Sequence, residues 1–130
     1  MLVLDTHAWW WAVNEPAQLS RNAYELLYMT PPDQRAVASI SIWEFAMMVK
    51  RGRIRLRMSA ANWLEYAVEK TGLQVCELTP RIAVEACSLP GEFHKDPADR
   101  IIVATARVYS SRVISKDQRI RNYPYVQSVW

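Results

Sequence analysis

His94-Lys95-Asp96-Pro97-Ala98-Asp99-Arg100-Ile101-Ile102-Val103-Ala104-Thr105-Ala106 decides how this chain folds. Pro97 fixes its own φ near the helical value and drives the residue before it out of the α region. Asp96 therefore reads as N-cap, Pro97 as N1 and Asp99 as N3 of a helix. Past Arg100 the helix turns almost wholly apolar, so it joins a charged surface to the core.

Downstream, residues 112–115 read as a strand that hands over at Asp117 to a short helix reaching Asn122, and residues 126–129 as a fifth, edge strand. Upstream, Thr79-Pro80 opens a helix that runs to about Leu89 and ends at Pro90-Gly91, preceded by a third strand over 73–78. Ser59 caps a helix with Trp63, Leu64, Ala67 and Val68 on one stripe and Gly72 at its C-terminal cap. Residues 36–40 read as the second strand. Ser41-Ile42-Trp43-Glu44 then has the spacing of a capping box, opening a helix with an Ile42, Phe45, Ala46, Val49 stripe that ends at Gly52. At the start, Leu2-Val3-Leu4 is a continuous apolar run typical of a strand buried on both faces, and Asp5 caps a helix over 6–13. Ser20 caps another over 21–29. Trp9, Trp10 and Trp11 cover most of the way round the first helix, so at least one is expected to be exposed, one facing a partner groove and the others the core.

Strands alternating with helices predict an α/β fold: a small, mainly parallel sheet of four to five strands with helices on both faces and right-handed crossovers. In such sheets the functional crevice lies outside the carboxyl ends of the strands. Asp5, Glu44 and Asp117 fall at strand-to-helix handovers. Asp99 opens the helix that feeds the fourth strand.

The chain has 130 residues, 51% of them apolar, which suits one domain spanning 1–130 with a single core. No apolar run is long enough to cross a bilayer, and Met1-Leu2-Val3-Leu4-Asp5 lacks the basic start of a secretory signal, so a cytoplasmic protein with no membrane association is expected. Cys76 and Cys87 lack metal-ligand spacing and read as small core residues. With only Gly52, Gly72 and Gly91, no G-x-G-x-x-G motif exists, which excludes a dinucleotide-binding dehydrogenase. A net charge of +3 and a pI near 9.0 suit a polyanionic partner.

Each acid has a structural explanation as a helix cap. Four acids around one crevice, however, repel one another unless they are protonated or bridged by cations. Carboxylates without His or Cys partners select hard ions such as Mg²⁺ or Mn²⁺, and a Mg²⁺ site keeps positions for water and phosphate oxygens. That chemistry is phosphodiester hydrolysis. Thr6 and Ser115 are candidates to orient a carboxylate or water, or are plain strand-end caps; His7 and His94 read as surface or packing residues. The basic run Lys50, Arg51, Arg53, Arg55, Arg57 is either a solvated face or a phosphate-tracking surface.

Leu4-Asp5-Thr6-His7, Ser39-Ile40-Ser41-Ile42-Trp43-Glu44, Asp96-Pro97-Ala98-Asp99-Arg100 with Ala104 and Ala106, Ser115-Lys116-Asp117, and the final Tyr123-Pro124-Tyr125-Val126 together resemble, in order along the whole chain, the PIN-domain ribonucleases. Within these they are similar to the VapC-type toxins of bacterial toxin–antitoxin pairs. The resemblance implies a three-layer α/β/α fold, Mg²⁺- or Mn²⁺-dependent cleavage of RNA, a homodimer, and inhibition by a cognate antitoxin whose tail lies near the active site. Carried over by motif, Asp5, Glu44, Asp99 and Asp117 take the family's acidic, catalytic positions. Asp96 joins them as a candidate metal ligand or as the helix cap, ranked below Asp99, which immediately precedes the apolar helix. A housekeeping RNA-processing nuclease would carry the same acids, and a partner-binding module would use them only as caps. The nuclease reading expects Asp5, Glu44, Asp99 and Asp117 to converge, with Asp96 at the rim.

Overall fold

The computed structural model describes residues 1–69 and 71–130. Among them, five strands form one parallel sheet in the order β3-β2-β1-β4-β5: β1 (Leu2–Leu4), β2 (Arg35–Ala38), β3 (Gln74–Cys76), β4 (Arg112–Ile114) and β5 (Ser128–Val129). The helices are α1 (Thr6–Asn14), α2 (Arg21–Met29), α3 (Ser39–Lys50), α4 (Ala60–Glu69), α5 (Pro80–Cys87), α6 (Pro97–Val108) and α7 (Gln118–Arg121). β1 lies at the centre, and its three residues are buried on both faces, as its unbroken apolar run requires.

The period-two alternation of β1 divides the core. Leu2 and Leu4 join Trp9, Phe45, Trp63 and Leu27 on one face, while Val3 joins Ile82, Ile102, Val103 and Ile120 on the other. These two apolar layers, each roofed by helices, make the expected three-layer α/β/α arrangement. α6 is the most enclosed helix: Ile102 to Ala106 are all buried, so its apolar stretch fills the layer against β1, β2 and α5. Because a helix feeding a parallel strand runs antiparallel to it, α6 begins at the carboxyl edge of the sheet. Asp99 is thereby brought to the same side as Asp5 and Asp117.

Several boundaries differ from the sequence reading. β2 ends at Ala38 and α3 begins at Ser39, with Ala38 in extended conformation as N-cap and no side-chain cap. Strand length is set by pairing: Ala38 opposite Cys76 is the last partner pair, and the chain turns into the helix directly afterwards. The capping box of Ser41 and Glu44 therefore does not form. Ser41 is wholly buried inside α3, its hydroxyl without a hydrogen-bond partner among the described residues, and Glu44 sits in the second turn rather than at N3. β3 and β5 are shorter than predicted for the same reason, since strand character lasts only as long as a neighbour does.

None of the three consecutive tryptophans is exposed. Trp9 is buried against Phe45 and Trp63, and Trp10 is half-buried on the same two rings. Trp11 is half-buried against Trp130. The chain's last residue covers the indole that helical geometry alone leaves outside. Cys76 is buried as expected, but Cys87 is exposed at the end of α5.

Candidate active site

At the carboxyl ends of the strands lies a cavity of about 970 Å³, and all five candidate acids, Asp5, Glu44, Asp96, Asp99 and Asp117, line it. Asp5 follows β1 directly. Its backbone N–H continues the ladder to the Ile114 carbonyl at 3.1 Å, and its Oδ1 accepts the Ala8 N–H at 2.8 Å, capping α1. It is 6% exposed. Burial pushes its carboxyl above the ordinary range, while the Ser115 hydroxyl and the Ala8 N–H pull the other way.

Asp96 caps α6 as predicted: its Oδ1 accepts the Ala98 N–H at 2.9 Å and the Asp99 N–H at 3.4 Å. Asp99, at N3, is far more enclosed. Burial first, then the like charges of Asp96, Glu44 and Asp117, push its carboxyl up to about 7, against the opposing pull of Arg119. His94 Nε2 lies 3.1 Å from Asp99 Oδ2, close enough to interact but not aligned as a hydrogen bond. Burial and the Arg119 charge hold that imidazole below its ordinary pKa. Glu44 reaches the cluster from the second turn of α3; it, Asp96 and Asp99 each offer one carboxylate oxygen, all within 4.8 Å of one another.

Asp117 caps α7 through the Arg119 N–H at 2.8 Å and is gripped by the same residue's guanidinium, Nη2 to Oδ2 at 2.8 Å and Nε to Oδ1 at 3.2 Å. That fork holds its carboxyl below the usual carboxylate range. Arg119 also stands 3.5 Å from Asp99 Oδ2, so one guanidinium spans two of the acids. The sequence reading missed this residue; its signal was an arginine two places after a capping aspartate at a strand end. Ser115 is buried and accepts the Asp117 N–H at 3.0 Å, which fixes the turn after β4. Thr6 lines the cavity with its hydroxyl buried and unpartnered among the described residues.

The donor set is therefore hard oxygen, presented by three helix starts and the inner turn of α3, and two of its carboxyls are raised by crowding or burial. An oxygen-preferring divalent cation fits it, because such a cation removes the repulsion among the carboxylates. Arg51, Arg53 and Lys116 line the same cavity and offset the acids at its rim.

Residues 2–125 match the family model of the PIN domain. The chain belongs to the PIN-domain family. This PIN domain is 37% identical over 132 residues to Ribonuclease VapC22 of Mycobacterium tuberculosis, covering 99% of this chain and 98% of that one. Its fold is shared with VapBC2 of Rickettsia felis, solved bound to a DNA fragment from its promoter (TM-score 0.73, 14% identity, 98% of this chain and 96% of that one). A toxin–antitoxin complex from Klebsiella pneumoniae shares it too (TM-score 0.69, 20% identity, 100% and 97%). Among the described residues, no helix is long and apolar enough to cross a membrane.

Proposed function

We propose that residues 1–130 form one PIN nuclease unit, a Mg²⁺- or Mn²⁺-dependent endoribonuclease of the VapC type that acts as the toxin of a toxin–antitoxin pair. The observation that carries this reading is the meeting of Asp5, Glu44, Asp96, Asp99 and Asp117 in one cavity from elements far apart in sequence. The 37% identity to a VapC ribonuclease over nearly the full chain supports the RNA substrate, and fold neighbours solved as toxin–antitoxin complexes support a cognate antitoxin as partner. The protein acts in the cytoplasm as a homodimer in this reading.

Asp5, Glu44, Asp99 and Asp117 would hold the metal, with Asp96 within reach as a further ligand while it caps α6. A bound ion supplies charge neutralisation at the phosphate and activation of the attacking water. The protein's own part is positioning. Asp5 is locked by the Ala8 N–H, Asp117 by the Ser115 hydroxyl that accepts its N–H, and Asp99 by its place at N3 of α6, where its own N–H is bound by Asp96 Oδ1. The guanidinium of Arg119 and the ammonium of Lys116 draw the RNA backbone toward the acids, and none of the side chains serves as a covalent nucleophile. Cleavage of a single-stranded RNA in Mg²⁺ by wild type, Asp5→Asn and Asp99→Asn tests this. Asn caps a helix about as well as Asp, so activity lost with the fold intact marks metal holding, whereas unchanged cleavage in both variants contradicts the reading.

A further inference from the structure

Five of the six tryptophans pack against another aromatic ring: Trp9, Trp10, Trp11, Trp63 and Trp130. Trp43 is the exception, 56% exposed, and among the described residues no aromatic ring stacks on it. It lines the acid cavity and immediately precedes Glu44. Met47 and Arg51 follow at steps of four on the same face of α3 and its C-cap, and Arg53 lies just beyond the turn at Gly52; all three line the same cavity. A flat indole beside the carboxylates thus opens a track that ends in two guanidinium groups.

We propose that Trp43 is the stacking platform for the base next to the scissile phosphate, with Arg51 and Arg53 holding the phosphates beyond it. The inference deepens, and rests on, the ribonuclease reading of the site. A tryptophan exposed beside the acid cavity can serve a protein interface or an aromatic ligand. The surroundings favour the nucleotide. The ring shares its cavity with the carboxylates, and the Arg51 and Arg53 cations stand further along from it. Glu44, one residue away, ties the ring to the place where phosphate is cut. A base can stack there only when it is unpaired, so Trp43 selects for single-stranded or looped RNA at the cut.

The test uses a single-stranded RNA that the wild-type protein cuts at one bond, together with versions carrying one abasic nucleotide at successive positions around it. Stacking predicts that Trp43→Ala lowers kcat/KM by between about 5-fold and about 150-fold, that Trp43→Phe recovers most of the loss, and that Arg51→Ala flattens the salt dependence of KM. In the wild type, the abasic substitution should cost a similar factor at one position flanking the cut. In Trp43→Ala that position should cost nothing more. If kcat/KM is unchanged in Trp43→Ala, or the abasic penalty is as large in the variant as in the wild type, the proposal is overturned. It is equally overturned if the variant instead loses a protein partner or changes its assembly state. A wild-type protein that cuts no RNA overturns the ribonuclease reading itself, a result distinguishable from the others.

Discussion

Asp99→Asn should stabilise the metal-free protein. The Asp99 carboxyl is raised from 3.8 to about 7 by burial and by its acidic neighbours. At about 1.4 kcal/mol per pH unit, that displacement costs the folded state about 4 kcal/mol once the group is ionised in both states. Because the folded state holds the proton more tightly than the unfolded one, the effect runs in one direction. Stability from this group is full below pH 3.8 and is lost progressively as pH rises to about 7. Asparagine carries no charge to lose. The weakened interaction of N3 with the helix dipole costs only about 0.5 kcal/mol in return. The assay is thermal unfolding in EDTA from pH 4 to pH 8. For a domain of this size roughly 3 to 5 °C accompanies each kcal/mol, so Asp99→Asn should melt on the order of 10 °C higher at pH 8, with the gap closing toward pH 4. Adding Mn²⁺ should raise the wild type more than the variant. A wild-type melting temperature that does not fall between pH 5 and pH 8 in EDTA, or a variant that melts at or below it at pH 8, refutes the electrostatic account of the cluster.

Arg119→Gln removes the guanidinium that grips Asp117 and stands by Asp99, so Mn²⁺ affinity measured by calorimetry should rise several-fold, because the ion no longer competes with a fixed positive charge. Weaker Mn²⁺ binding would show that Arg119 assembles the acids instead of competing for them. Arg100→Ala removes donors to the Ala86 carbonyl at 2.9 Å, to the Phe93 carbonyl at 3.0 Å and to the His94 carbonyl at 3.3 Å, the bonds that tie α5 and the loop before Asp96 to α6. Leaving partly buried carbonyls unpaired should cost about 2 to 4 kcal/mol in urea unfolding, and a cost below about 0.5 kcal/mol would show that water replaces them.

What the sequence made legible was local chemistry. Asp5, Asp96 and Asp117 cap helices where the pattern places them, because N-capping depends on a few neighbouring residues and, at Asp96, on Pro97. The central strand and the buried helix follow from unbroken apolar runs. Glu44 lines the same cavity as the other acids, but not from the helix-start position that its spacing to Ser41 suggested. Ser-x-x-Glu looks the same whether serine caps a helix or is buried within one, and only pairing across the sheet stops β2 at Ala38. The expectation that at least one of Trp9, Trp10 and Trp11 is exposed failed because the cover of Trp11, Trp130, comes from the far end of the chain. The Arg119 bridge escaped notice because half of it is a contact to Asp99, which lies on α6, an element distant in sequence from α7.

Whether these acids hold a divalent ion is the central question for this protein. Anomalous diffraction from a crystal of the wild-type protein soaked in Mn²⁺ measures this directly. The expected result is an anomalous peak within direct bonding distance of carboxylate oxygens from Asp5, Glu44, Asp99 or Asp117, and its loss in Asp5→Asn crystals. A soaked crystal with no peak in this cavity, or with Mn²⁺ bound only elsewhere on the surface, would contradict the metal-holding role of the cluster.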